Sequence, residues 1–157
     1  MSHVPGMVAS RAVMGLLQVI VIATVPMLVL CVASPLVGER FAPLHGLVFV
    51  LLWIVGGTVT YSLAFLFSVL SSSELVALGA AYGVLVLYQL ATHLPNLHPY
   101  PLSVGDLMIG KLGNMINLQT LEWTGRIPMM LLCGFAGTAL CLFVAAGWVT
   151  NSQDLSG

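Results

Sequence analysis

Charged side chains are scarce in this chain. Asp, Glu, Lys and Arg together make up 6% of its 157 residues, whereas apolar residues make up 59%. A soluble globular domain carries about 25% charged residues, so a water-facing surface cannot be built from this composition. With four basic residues against five acidic ones, the chain also lacks the basic patch that nucleic-acid binding requires. The composition predicts a membrane protein and excludes a nucleic-acid partner.

Cysteines are also few, and they form no recognisable pattern. Cys31, Cys133 and Cys141 are odd in number and lie inside apolar stretches, and no C-x-x-C pair occurs. Both observations argue against a disulfide framework and against a cysteine metal site. We therefore expect the three thiols to act as small apolar side chains.

The longest uncharged stretch predicts a helical hairpin in lipid. No charged residue occurs between Phe41 and Ser73, and the span 47–70 alone is 24 residues long. A helix needs about 20 apolar residues to cross a hydrocarbon core of about 30 Å. The polar hinge Ser71–Glu74 is followed at once by a second apolar span at about 75–92. A hinge this short can reverse the chain only at the membrane surface.

Two further spans, at about 13–33 and 129–149, bring the predicted total to four. The segment before the last span is more polar. There, Ser103 and Asp106 have the spacing of a helix start, and Met108, Leu112 and Met115 recur at helical spacing. This pattern predicts an amphipathic helix over about 103–118, lying at the interface or re-entering the membrane. The predicted fold is a single all-α membrane domain over 1–157, with four transmembrane helices and one interfacial or re-entrant helix.

Small residues indicate where the helices approach one another. Gly56 and Gly57 lie in the second span among hydroxyl side chains, which bond either across helices or back onto their own carbonyls. Gly79 and Gly83 lie four residues apart in the third span, and so share one helix face. We expect that face to form a close helix contact.

Groups that carry enzyme chemistry are missing. All five carboxylates lie in loops or at span ends, whereas proton-coupled transporters usually keep an ionisable group inside the membrane. Gly105–Lys111 matches G-x-x-x-x-G-K, but Leu112 stands where a phosphate loop has Ser or Thr, and no strand pattern precedes it. We predict no catalytic, cofactor-binding or metal-binding residue, and no ATPase activity in this chain.

The histidines leave one alternative open. His45 opens the second span and His93 closes the third, so both are predicted at the same membrane face. Paired imidazoles on neighbouring helices can hold haem. A haem-binding or assembly subunit that uses His45 and His93 is therefore an alternative, as is a structural membrane-anchor protein.

The hairpin sequence resembles a known family. The stretch 63–81, in which a small-rich helix ends in a Ser-bearing turn and restarts with Ala and Gly, looks like the cytoplasmic turn between the fourth and fifth helices of ABC-2 type transporter permeases. The last span, with its polar tail at 151–154, resembles the closing helix of that family. The segment before it is similar to the short external helices found there.

The resemblance implies a function and partners. It implies a permease subunit of an ATP-binding-cassette transporter, in a bacterial inner membrane, that moves a substrate while a separate ATPase hydrolyses ATP. It also implies a second permease copy. The chain would correspond to the last four of six helices, so a truncated or short form is expected. Substrate and transport direction stay open.

Two signals disagree on orientation. The resemblance places Arg11, Ser71–Glu74 and the C-terminus in the cytoplasm. The positive-inside rule favours the opposite face, because Arg40, Lys111 and Arg126 share it.

Overall fold

The computed structural model describes residues 4–38, 43–71, 73–92, 94, 103–111, 114–117, 119, 122–127 and 129–154. Its helices are α1 (Val4–Ala33), continued by a 3₁₀ turn at Ser34–Val37, then α2 (Pro43–Leu70), α3 (Glu74–Ala91), α4 (Val104–Met108) and α5 (Met129–Asp154). Two strands of two residues each, β1 (Ile116–Asn117) and β2 (Glu122–Trp123), pair in an antiparallel ladder between α4 and α5.

The chain is a membrane-embedded helix bundle. Among the described residues, four helices are long and apolar enough to cross a membrane, at Ala9–Val37, Pro43–Leu70, Glu74–Thr92 and Met129–Ser152. Large apolar side chains cover their outer surfaces, and Ile22 on α1 and Leu87 on α3 are each 67% exposed. Monomeric soluble proteins rarely expose so extensive an apolar surface, which here faces lipid. The predicted fold class is confirmed.

The helix α2 lies at the centre of the bundle and contacts α1, α3, α4 and α5. Its end at Leu70 and the start of α3 at Glu74 form the predicted tight hairpin. In that turn the backbone N–H of Ser73 donates to the hydroxyl of Ser71 at 3.2 Å. The hairpin brings the end of α2 and the start of α3 to one end of the bundle, where Arg11 of α1 and Thr150 of α5 also lie.

Glycines at two positions let α2 meet its neighbours closely. A methyl group on Gly57 would lie 2.8 Å from Val19 of α1, and one on Gly56 would lie 2.7 Å from Met108 of α4. The nearby hydroxyls of Thr58 and Thr60 instead donate to carbonyls of their own helix. Close approach at Gly56 and Gly57 therefore comes from the missing side chains and not from the hydroxyls of Thr58 and Thr60.

The predicted contact through Gly79 and Gly83 is wrong within this chain. Among the described residues, no atom of a neighbouring element lies within 4 Å of a methyl group placed on either glycine. The side of α3 that packs on α2 carries Ala77 and Ala81, which are only 3% and 2% exposed. Two residues correspond to about 200° around a helix with 3.6 residues per turn, so the glycines face outward.

The prediction of one helix over about 103–118 is also wrong in length, because α4 has only five residues. Ser103 caps it as expected, its hydroxyl accepting a hydrogen bond from the N–H of Asp106 at 3.2 Å. Beyond α4, Gly110 and Asn114 have φ angles of 71° and 51°. Residues in this left-handed conformation end a helix.

The described residues of 103–127, here called the cap segment, insert Ser103, Leu107 and Met115 into the interior of the bundle. The reason is a difference in length, since α2 has 28 residues and α3 only 18, or about 42 and 27 Å at 1.5 Å per residue. The cap segment covers the part of α2 that extends past α3. Its fully buried side chains Leu107 and Met115 join a core cluster with Leu52 and Phe135.

Candidate functional site

A cavity of about 510 Å³ lies between α1, α2, α3 and α5, near the end of the bundle that carries the α2–α3 turn. Of the two cavities described here, it is lined by charged side chains of both signs, and we call it the charged cavity. It is lined by Arg11, Tyr61, Ala64, Phe65, Ser68, Val69, Glu74, Ala77, Leu78 and Thr150.

Tyr61 is positioned in this cavity by α1. Its hydroxyl donates to the backbone carbonyl of Arg11 at 2.9 Å. One turn further along α1, Gly15 is buried, and a methyl group placed there would overlap the Tyr61 ring. The ring therefore occupies the space that the missing side chain leaves, and the hydrogen bond fixes its outer end.

Three aromatic rings form a cluster at the inner edge of the charged cavity. The centroids of Tyr61, Phe65 and Phe143 lie 5.8–6.0 Å apart, and the rings are tilted by 38–52°. Such spacings and tilts are those of favourable ring pairs. We call this group the aromatic cluster. It joins α2 to α5.

A second cavity, of about 260 Å³, lies further from the α2–α3 turn. We call it the apolar cavity. It is lined by Val59, Leu63, Val84, Leu85, Tyr88, Val104, Phe135, Thr138 and Leu142. The helices α2, α3 and α5 contribute to both cavities. On α3 the charged cavity is lined by Ala77 and Leu78 and the apolar cavity by Val84 and Leu85, about two turns further along the helix.

The helix α4 of the cap segment forms part of the wall of the apolar cavity on its far side. Val104 of α4 lines the cavity, and the hydroxyl of the fully buried Ser103 donates to the side-chain oxygen of Gln89 on α3. Met108 lies against Gly56 of α2. A hydrogen bond to α3 and an apolar contact with α2 therefore hold α4 in place.

The residues considered for haem are only partly described. His45 is half-buried near the start of α2, whereas His93 lies outside the described residues. Among the residues that the structure describes, no group of three or more His, Cys, Asp or Glu side chains could hold a metal ion. The haem alternative stays a prediction.

The G-x-x-x-x-G-K match does not form a phosphate-binding loop. Its residues 105–108 belong to α4, and Lys111 is exposed in the turn that follows. The cysteines are free, with Cys133 and Cys141 on the outer surface of α5.

The charged cavity was not predicted from the sequence. Arg11 and Glu74 are far apart in the sequence, and neither belongs to a motif. One signal pointed to them, because the two spans between them return the chain to the same membrane face, so Arg11 and Ser71–Glu74 were placed together. The contribution of Tyr61 could not be read from its span, because its partner, the Arg11 carbonyl, is a backbone group.

Comparison of the chain with protein-family models, with curated proteins and with solved structures gave no match.

Proposed function

We propose that this chain is the permease subunit of an ATP-binding-cassette transporter and forms a path for a substrate between its helices. The observation that carries the proposal is the order of the two cavities along α3 and α5, with Phe143 of the aromatic cluster lying between Leu142 and Thr150 on α5. A path that is open at one end and closed at its middle by a small contact is what alternating access requires.

The aromatic cluster acts as the inner barrier in this proposal. Each ring pair contributes about 0.5–1.5 kcal/mol beyond burial, so parting the rings costs a few kcal/mol. Tyr61 belongs to the cluster and also bonds to the carbonyl of Arg11. A shift of α1 against α2 would therefore move the Tyr61 ring relative to the other two rings of the cluster.

The energy source and partners follow from the resemblance to ABC-2 type permeases. A separate ATPase subunit hydrolyses ATP, a second permease copy completes the membrane part, and the complex lies in a bacterial inner membrane. This chain supplies no ATP site of its own.

Cysteine accessibility tests the path. In a background with Cys31, Cys133 and Cys141 replaced by Ala, Ser68→Cys reports on the charged cavity and Leu85→Cys on the apolar cavity. In sealed vesicles of either orientation, a membrane-impermeant thiol reagent should label the two positions from opposite sides. Leu87→Cys is the matched control, because its side chain lies on the same helix and is 67% exposed on the outer surface, where lipid excludes the reagent.

Labelling of Leu85→Cys from neither side, or at the rate of Leu87→Cys, would contradict the path. The partnership is tested separately by purifying the tagged chain from its own membrane. The purified complex should contain a subunit with a Walker A motif and should hydrolyse ATP. A chain that purifies alone and without ATPase activity, in two detergents of different harshness, would contradict the partnership.

A further inference from the structure

We propose that the charged cavity binds a zwitterionic headgroup, with an anionic group at Arg11 and a primary ammonium group at Glu74. This inference rests on the proposed function, because the charged cavity is one end of the proposed path. It adds the chemical class of the ligand, which is an amphiphile whose head carries one charge of each sign, such as a phosphoethanolamine.

The charges of the cavity select a zwitterion. Arg11 comes from α1 and Glu74 is the first residue of α3, and both side chains are exposed where they line the cavity. An anion is attracted by Arg11 and repelled by Glu74. A cation is attracted by Glu74 and repelled by Arg11. Only a ligand that carries both charges gains from both side chains.

Among the polar side chains that line the charged cavity, one is a strong hydrogen-bond donor for the anionic group. The hydroxyls of Ser68 and Thr150 donate to carbonyls of their own helices, Phe65 and Ala146, at 2.7 and 2.9 Å. Their protons are therefore engaged. The planar guanidinium of Arg11 remains, and it can hold a phosphate through two parallel hydrogen bonds.

The same hydroxyls favour a primary ammonium group. A hydroxyl that donates its proton keeps lone pairs that accept hydrogen bonds. The oxygens of Ser68 and Thr150 and the carboxylate of Glu74 are thus acceptors lining one cavity. A primary ammonium offers N–H donors to them, whereas a trimethylated ammonium offers none.

The cavity also suits the apolar part of an amphiphile. Leu78 lines it and is at the same time 53% exposed on the outer surface of α3. The apolar wall therefore continues into the lipid-facing surface, so an acyl chain can leave sideways. The volume of about 510 Å³ lies within the range of about 300–1,000 Å³ that is usual for ligand pockets.

Saturable binding of four radiolabelled probes with the same alkyl tail tests the proposal. The probes are dodecyl phosphate, dodecylammonium, dodecylphosphocholine and dodecylphosphoethanolamine. Each is measured with the full chain in maltoside micelles, and binding to protein-free micelles is subtracted. We expect dodecylphosphoethanolamine to bind most tightly. Competition by unlabelled phosphoethanolamine without a tail distinguishes a soluble ligand, which would compete fully, from a lipid, for which the tail is required.

Two variants remove one charge each. Arg11→Gln should weaken binding of dodecylphosphoethanolamine about fivefold, near the upper limit for an exposed ion pair, and should strengthen binding of dodecylammonium. Glu74→Gln should weaken the same zwitterion about fivefold and strengthen binding of dodecyl phosphate. Arg11→Lys keeps the charge and should retain most of the affinity. Lys111→Gln and Asp106→Asn remove charges outside the cavity and should change nothing.

Equal binding of dodecyl phosphate and dodecylphosphoethanolamine by the parent chain would overturn the proposal. So would unchanged zwitterion binding in both Arg11→Gln and Glu74→Gln, and equal binding of the choline and ethanolamine probes would overturn the ammonium assignment. Since this assay measures binding alone, its failure is separate from a failure of the labelling at Leu85→Cys, which tests the path.

Discussion

The hydroxyl of Tyr61 and the backbone carbonyl of Arg11 lie 2.9 Å apart, although 50 positions separate the two residues in sequence. This hydrogen bond joins α1 to α2, and it brings the aromatic cluster and the charged cavity together at one residue. Because the acceptor is a backbone group, the bond does not depend on the side chain at position 11. The charge of Arg11 can therefore be changed without removing it.

Tyr61→Phe should lower stability. It leaves the ring in the aromatic cluster but removes the hydrogen bond, and a bond of this kind contributes about 0.5–1.5 kcal/mol. We expect the Tm in detergent to fall by a few degrees. Tyr82→Phe is the control, because Tyr82 is 63% exposed on α3 and should melt like the parent. Equal melting of all three proteins would show that the bond contributes nothing.

Gly15→Ala should destabilise the bundle, whereas Gly79→Ala should not. The new methyl group at position 15 overlaps the Tyr61 ring, while the one at position 79 meets open space. Overpacking costs about 1–3 kcal/mol, and in an exposed helix Ala is favoured over Gly by up to about 1 kcal/mol. The Tm of the two variants should therefore move in opposite directions.

A double-mutant cycle tests whether the destabilisation by Gly15→Ala comes from its contact with Tyr61. In a Tyr61→Ala background the space beside position 15 is empty, so Gly15→Ala should lose most of its effect. A cost that persists undiminished in this background would mean that another neighbour of Gly15 is responsible.

Gly83→Leu should be nearly silent, and Ala81→Leu should be harmful. Position 83 is open, whereas Ala81 is 2% exposed against α2, where extra volume costs about 1–3 kcal/mol. Thermal stability and particle size of both variants in detergent check this. If Gly83→Leu destabilises the protein and halves the particle size, a second copy covers the glycine face.

The haem alternative makes an optical prediction. A haem protein that uses His45 and His93 would show a Soret band, and His45→Ala or His93→Ala would abolish it. The transport account predicts a colourless protein after purification from cells supplied with haem. A Soret band that is lost in either variant would replace the transport account.

The sequence predicted those parts of the fold that depend on length and apolar pattern. The uncharged stretch on both sides of Ser71–Glu74 was sufficient to place the α2–α3 hairpin. The cap segment could not be predicted, because left-handed residues at Gly110 and Asn114 interrupt a pattern that otherwise repeats like a helix.

Contacts between helices were harder to predict from the sequence than the helices themselves. Gly56 and Gly79 look alike in sequence, but only Gly56 meets a neighbour. Whether a glycine of α3 contacts a neighbour depends on which face of α3 packs on α2, and that face carries the buried Ala77 and Ala81. The charged cavity escaped prediction for a related reason, since Arg11 and Glu74 come together only when four helices are assembled.

The central claim is that the aromatic cluster divides one path into two cavities, and Phe143→Ala tests it most directly. The measurement is the labelling of Leu85→Cys in sealed vesicles, in the background that lacks native cysteines. The account predicts that Phe143→Ala makes Leu85→Cys reactive from the side that also labels Ser68→Cys, while the control Phe67→Ala leaves labelling one-sided. Labelling of Leu85→Cys that stays one-sided in Phe143→Ala would contradict the account.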